Sequence, residues 1–271
     1  MTVRKAFIET LASEPCYSFL AGIARIPAGK RVLNAISAPY GVYDTFADGW
    51  IAARKANPVG HEDPGEIEVH LRHAESLRPS DYAPLYWIST IQPRSPKIFD
   101  FGGNIGNLYY TYSPRLPKLG SADWTVFDIP SVVENGRKIA AERKAAALRF
   151  VDSARAFKAE QILLVSGAFH YWESDVSAFL QQFPTSPENI IINRSPVHET
   201  QPSFITVQRT QSCAFPCKVW NSGELVLSFA ESGYKLIDRW RALELSLKLP
   251  LFPNLSVPYY SGFFFSKPSR I

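Results

Sequence analysis

From Lys97 onward the chain alternates short apolar runs with longer amphipathic stretches, and this rhythm constrains the fold more than any other feature. The runs at 97–101, 123–127, 148–151, 161–166 and 189–193 are short and rich in β-branched and aromatic residues, as strands are. The clearest helix between them is 131–147 (SVVENGRKIAAERKAAA), where Ser131 followed by Glu134 has the pattern of a capping box. Apolar strands alternating with helices predict a parallel sheet covered on both faces. The C-terminal part departs from that rhythm. ELVLSFAESG reads as a helix closed by Gly233, and YKLIDRW and YYSGFFFSK read as two strands with no crossover helix between them. A mostly parallel sheet finished by an antiparallel, hairpin-like strand pair is the economical architecture.

Before Pro96 the pattern is helical and broken by prolines. Segments 4–12, 43–56 and 65–78 carry helical apolar spacing, which suggests a helical N-terminal cap over 1–80 and a main domain over 81–271. The aromatic residues of this part (Tyr40, Tyr43, Phe46, Trp50, Tyr82, Tyr86, Trp87) suit packing on something larger, a partial lid, or an interface in an oligomer.

The net charge of +4 comes without a dense basic stripe, which argues against nucleic acid as a partner. The longest apolar runs are too short to span a bilayer, so no stable membrane insertion is expected. No apolar leader with a cleavage site follows Lys5, which makes cytoplasmic the default location. The three cysteines, Cys16, Cys213 and Cys217, show no disulfide framework. Cys213 and Cys217 lack convincing further ligands for zinc, and His61, His70 and His73 lie in a polar, Glu-rich segment typical of solvated surface, so no metal is expected.

The stretch KIFDFGGNIGNLYY (97–110) puts Gly102, Gly103 and Gly106 directly after the first strand. Glycine permits positive φ and close approach of a ligand to the backbone. In open α/β sheets ligands bind beyond the carboxyl ends of the strands. The spacing fits neither the phosphate-binding loop of nucleotide hydrolases nor the dinucleotide fingerprint, so NAD is demoted. A second signal is DWTVFDIPSVVE, where Asp128 ends the second strand. An acid there can accept hydrogen bonds from both hydroxyls of a ribose, or it can cap the helix that follows. Asp152 and Ser153, after the third strand, suit the exocyclic amine of adenine or a plain turn.

DFGGNIG resembles the D-x-G-x-G-x-G loop of S-adenosylmethionine-dependent methyltransferases, above all the D-V-G-G-G-x-G form of small-molecule O-methyltransferases. VFDIPSVV resembles their F-D-L-P-x-V-I segment, and ILLVSGAFHYWES resembles their fourth strand running into L-H-D-W. The chain from about residue 40, including GVYDTFADGW, IIINRSP, TVQRTQSCAFP and ESGYKLIDRW, is also similar to a bacterial family assigned as methyltransferases from sequence and often encoded among surface-polysaccharide genes. The resemblance implies a Rossmann-like methyltransferase fold, α/β, with a mostly parallel seven-stranded sheet and an antiparallel last strand. It implies S-adenosylmethionine as cofactor and S-adenosylhomocysteine as product. Asp100 would steady the loop and the cofactor's amino-acid end, while Gly102, Gly103, Asn104 and Gly106 let the backbone approach it. Asp128 with Ile129 would hold the ribose, Asp152 and Ser153 the adenine, and Ser166 and Gly167 would complete the wall. Asn104 stands where a third glycine is common, and Asn visits positive φ at low cost.

His170 follows the fourth strand and matches the histidine that acts as general base in the L-H-D-W segment. An ordinary imidazole pKa suits that work near neutrality. A histidine packed at a strand end is the other reading, and Tyr171 replaces the Asp of that segment. Tyr171, Arg194 and His198 lie on the acceptor edge. Arg194 suits a clamp on a carboxylate or phosphate and equally a structural ion pair. Ser166-Gly167-Ala168-Phe169 stands where amino-directed nucleic-acid methyltransferases carry Asn/Asp-Pro-Pro-aromatic. The acceptor expected is a hydroxyl of a sugar, glycan or other small molecule. A small-molecule amine, or a binding protein that has lost turnover, are the alternatives.

Overall fold

The computed structural model describes residues 16–24, 26–37, 41–56, 76–92, 94–116, 123–159, 161–209 and 214–268. The segment 4–12, the three histidines at 61, 70 and 73, most of 65–78, and Cys213 lie outside the described residues.

The expected strands form as β2 (Lys97–Phe101), β3 (Asp123–Phe127), β4 (Leu148–Val151), β5 (Ile162–Ser166) and β6 (Asn189–His198). β9 (Lys235–Ala242) and β10 (Tyr260–Ser266) follow. They line up as β4-β3-β2-β5-β6-β10-β9. The pairs from β4 to β6 are parallel, and β10 runs antiparallel to both of its neighbours. This is the expected Rossmann-like arrangement. The last two strands pair directly, although residues 243–259 separate them, so they are not a tight hairpin.

The strands are buried on both faces, and successive side chains alternate between two cores. Phe99, Leu163, Val165, Ile190, Ile192, Phe263 and Phe265 fill the core on one face, and Ile98, Trp124, Val126, Ile162, Leu164, Ile191 and Phe264 fill it on the other. Burying each such side chain contributes about 1.5–3 kcal/mol.

The sheet is larger than the seven strands expected, with ten strands among the described residues. β7 (Phe204–Arg209) and β8 (Ala214–Asn221) form an antiparallel pair, and β8 attaches in parallel to Val197 and His198 at the end of β6. β1 (Val42–Tyr43) pairs with β7, so the N-terminal part contributes a strand to the sheet as well as helices. Its helices are α1 (Cys16–Ala24), α2 (Pro27–Ser37) and α3 (Phe46–Ala56). α3 packs on β8, with Trp50 edge-on to Phe215. α4 (Tyr82–Ile91) lies against the main sheet through Trp87, which donates to Asp238 and packs on Phe264.

α5 (Asn107–Tyr112) follows the glycine loop. α6 spans Pro130–Glu142, and its start corrects the sequence reading. Ile129 is the N-cap and Pro130 takes the first turn, so Ser131 and Glu134 form no capping box, and Glu134 pairs with Lys138 instead. Proline at that position has φ preset for the helix and no N–H to satisfy. α7 (Val176–Leu180) and α8 (Ser222–Glu231) are the last α-helices among the described residues, and α8 closes at Gly233, φ 85°, as expected.

β6 runs five residues past its expected end at 193 because Arg194 takes φ 57°. The register against β10 steps from Ser261 opposite Ser195 to Phe263 opposite Ile192, which is one extra residue in β6. The bulge lets the strand continue through Pro196 to meet β8.

Candidate cofactor and acceptor site

β3 and β4 lie on one side of β2 and β5 lies on the other, so the chain reverses its direction of travel across the sheet at the carboxyl end of β2. That is where open α/β sheets leave a crevice for a ligand. The glycine loop occupies this point. Gly102, Asn104 and Gly106 have φ values of 68°, 54° and 87°. Asn104 therefore takes the left-handed conformation that its side chain tolerates. Gly103 is required for a different reason: a Cβ there would lie 2.5 Å from the Asp100 carboxyl carbon. The loop lies flat on that acid.

Asp128 ties this loop to the next strand. Its Oδ2 accepts from Asn104 N at 2.9 Å and its Oδ1 from Ile129 N at 2.8 Å. Burial raises its pKa, and the two N–H donors oppose the rise. Each carboxylate oxygen keeps a further lone pair for a ligand hydroxyl. Ile129 beside it is 42% exposed.

Asp100 is buried, with Oδ2 accepting from Trp124 Nε1 at 3.2 Å and Oδ1 without a partner among the described residues. Burial pushes its pKa from an ordinary 3.8 to about 7; the Trp124 bond lowers it and the Asp128 charge raises it. Between those two values the folded chain holds a proton that the unfolded chain has lost, so this group makes stability fall as pH rises from about 4 to 7. Asp100→Asn should remove that decline, stabilising the unliganded protein by about 2 kcal/mol or more at pH 8 and hardly at all near pH 4. Denaturant midpoints across that range measure it, and an equal effect at both ends would contradict the burial account.

Asp152 and Ser153 sit exposed at the end of β4, open to a ligand, but Ser153 Oγ also accepts from Arg155 N and caps the turn Ala154–Ala156. Ser166 ends β5, and Gly167 follows with φ 73°, its N–H donating to Asn193 O at 2.9 Å. A Cβ on Gly102 would lie 2.5 Å from Ala168 Cβ, so the glycine loop and the turn after β5 meet.

His170 is in the short turn Phe169–Tyr171 that follows β5, and it is only 2% exposed. Its ring lies 4.2 Å from that of Tyr171 and 6.2 Å from that of Tyr260, centroid to centroid. Tyr171 OH donates to Gln208 of β7 at 3.0 Å, and Phe169 stacks on Trp220 of β8. The β7–β8 pair thus closes over this turn.

The two other expected acceptor residues are engaged elsewhere. Arg194 forms a buried ion pair with Asp81, and its Nε donates to Ser80 Oγ at 3.0 Å; the structural alternative is the one observed. His198 Nδ1 accepts from Thr200 N at 3.2 Å and Gln201 N at 3.0 Å, and Nε2 lies 3.1 Å from Asn254 O. Its ring organises the turn after β6. Sequence reasoning missed the cluster around Arg194. Asp81 also accepts from Tyr112 OH at 2.8 Å, and Ser80 Oγ donates to Glu244 Oε1 at 2.5 Å. The only local signal was the helix-start pattern PSDY at 79–82.

Among the described residues no group of His, Cys, Asp and Glu is arranged to hold a metal, and Cys217 is a buried thiol pushed up to about 12 by its surroundings. No described helix is long and apolar enough to cross a membrane. A surface groove of about 740 Å³ between α7 and α8, lined by Asp175, Gln181, Phe183 and Glu231 among others, lies apart from the glycine loop and contains none of the expected site residues.

The chain matches no protein-family profile and no curated protein. Its chain trace is similar to several solved structures. One is the glycopeptide N-methyltransferase MtfA complexed with S-adenosylmethionine, at TM-score 0.47 and 10% identity, covering 72% of this chain and 96% of that one. Another is the 1,6-didemethyltoxoflavin-N1-methyltransferase of Burkholderia thailandensis, at 0.45 and 14%, covering 78% and 93%. A third is the O-methyltransferase NcsB1 from neocarzinostatin biosynthesis, at 0.40 and 14%, covering 64% and 49%.

Proposed function

We propose that the protein is an S-adenosylmethionine-dependent methyltransferase acting on a hydroxyl of a sugar, glycan or other small molecule. One observation carries the cofactor reading: Asp128 at the end of β3 is hydrogen-bonded to Asn104 of a positive-φ loop at the point where strand order reverses. That geometry fits an adenosine. Backbone lies open on one side, an acid with spare lone pairs stands beside it, and Asp152 is exposed one strand further on. The unpartnered Asp100 Oδ1 beneath the loop suits the ammonium of the cofactor's amino-acid end.

Bound S-adenosylmethionine would supply a methyl group on a sulfonium, the acceptor oxygen bonding to that carbon as the carbon–sulfur bond breaks and S-adenosylhomocysteine leaves. The chain's main task is then to align the two partners and exclude water. The loop and Asp128 hold one partner. The turn Gly167–Tyr171, roofed by β7 and β8, faces the other, and His170 takes the acceptor proton. The ring is 2% exposed and packs beside Tyr171 and Tyr260, so the acceptor would reach it between these side chains. Isothermal titration with S-adenosylhomocysteine, followed by transfer of labelled methyl into fractionated small-molecule extracts, tests the reading. Absence of binding ends it, and binding without transfer to any fraction assigns a non-catalytic binding protein.

A further inference from the structure

The cluster that absorbs Arg194 leaves a second arginine uncommitted. Arg78 precedes the turn Pro79–Asp81, and its backbone N–H donates to Asp81 Oδ2 at 2.8 Å. Its guanidinium makes no hydrogen bond or ion pair among the described residues, although the side chain is half-buried. Asp81 Oδ1 accepts from Arg194 and Tyr112 and its Oδ2 from the Arg78 backbone, while Glu244 Oε1 accepts from the hydroxyl and N–H of Ser80, so neither acid is bonded to the Arg78 guanidinium. Burial lowers the Arg78 pKa, the charge of Arg194 lowers it further, and Asp81 and Glu244 offset this in part. An arginine fork held half out of water beside another cation, with the nearby carboxylates bonded elsewhere, is a site that an anion would complete. Its position is equally specific. Arg194 Nη1 lies 3.5 Å from Ser166 Oγ at the end of β5, and the turn Pro79–Asp81 packs on β6 and β9. That is the side of β5 away from β2 and its glycine loop.

We propose that Arg78 receives a carboxylate or phosphate of the methyl acceptor, so that the acceptor is an acidic hydroxyl compound. This rests on the methyltransferase reading and narrows its substrate class. Arg78 is a specificity residue and takes no part in the displacement.

The test uses the full chain saturated with S-adenosylhomocysteine and titrates malonate and inorganic phosphate at constant ionic strength, read by calorimetry and thermal shift. Wild type should bind at least one of the two anions in the millimolar range. Arg78→Met should weaken that binding at least fivefold and Arg78→Lys by less, while both variants keep the wild-type affinity for S-adenosylhomocysteine and the wild-type melting temperature within a few degrees. The inference is overturned if wild type binds neither anion better than chloride, or if Arg78→Met binds them as wild type does. It is also overturned if Arg78→Met weakens S-adenosylhomocysteine tenfold but leaves methylthioadenosine, which lacks the amino-acid end, unchanged; the anion is then the cofactor's own carboxylate. Failure of wild type to bind S-adenosylhomocysteine at all would instead strike the function proposed above, and anion binding by the unliganded chain would still report on Arg78.

Discussion

Asp128→Ala is expected to weaken binding of S-adenosylhomocysteine by about 10²-fold or more. Two hydrogen bonds from ribose hydroxyls to a carboxylate contribute roughly 1.5–3 kcal/mol each, and every 1.4 kcal/mol is tenfold in affinity. The substitution also unties Asn104, whose N–H donates to Asp128 at 2.9 Å, so the loop loses the contact that holds its left-handed residue in place. Stability should fall much less, by about 1 kcal/mol, because the freed N–H groups of Asn104 and Ile129 stand at a partly open strand end where water replaces the carboxylate. Calorimetric titration beside a denaturant melt separates the two effects. Affinity within threefold of wild type would remove Asp128 from the cofactor site.

His170→Gln is expected to lower kcat by about 10²–10⁴-fold, the usual contribution of a positioned general base, with S-adenosylhomocysteine affinity unchanged within a few-fold. Glutamine keeps a polar side chain of similar reach but cannot take a proton. The ring is only 2% exposed and packs against Tyr171 and Tyr260, so the competing role is structural. The pH profile distinguishes them. A base gives wild-type kcat a rise with pH through the imidazole range that the variant lacks. A packing residue gives a lower melting temperature and a parallel profile. Near-normal kcat in a stable variant would mean that alignment alone carries the transfer.

The features legible in the sequence are the local ones. The bounds of β2, β3 and β4 follow from runs of apolar residues ended by acids or glycine, and the structure places these strands where the runs lie. The left-handed conformation of Asn104 was legible for the same reason, since a residue between glycines in a tight loop meets its steric limits within its own neighbourhood. Asp128 was legible because a strand end and the following helix start are adjacent in the chain.

Tertiary structure decided what depends on partners distant in sequence. Arg194 looked equally suited to a ligand or to an ion pair, and its partner Asp81 lies 113 residues earlier, beyond any local pattern. His198 was spent in the same way on Asn254, 56 residues later, and on the turn that follows it. The capping box at Ser131 failed because Pro130 already set the first helical turn, moving the cap from Ser131 to Ile129, two residues upstream of where side-chain spacing put it. The β7–β8 pair and its junction with β1 were not legible because such pairing is satisfied by backbone groups, which every residue but proline carries alike. Side-chain periodicity marks a segment as a strand; only the assembled sheet determines which edge it will meet, and that choice is what buries His170 and brings Tyr171 against Gln208 of β7.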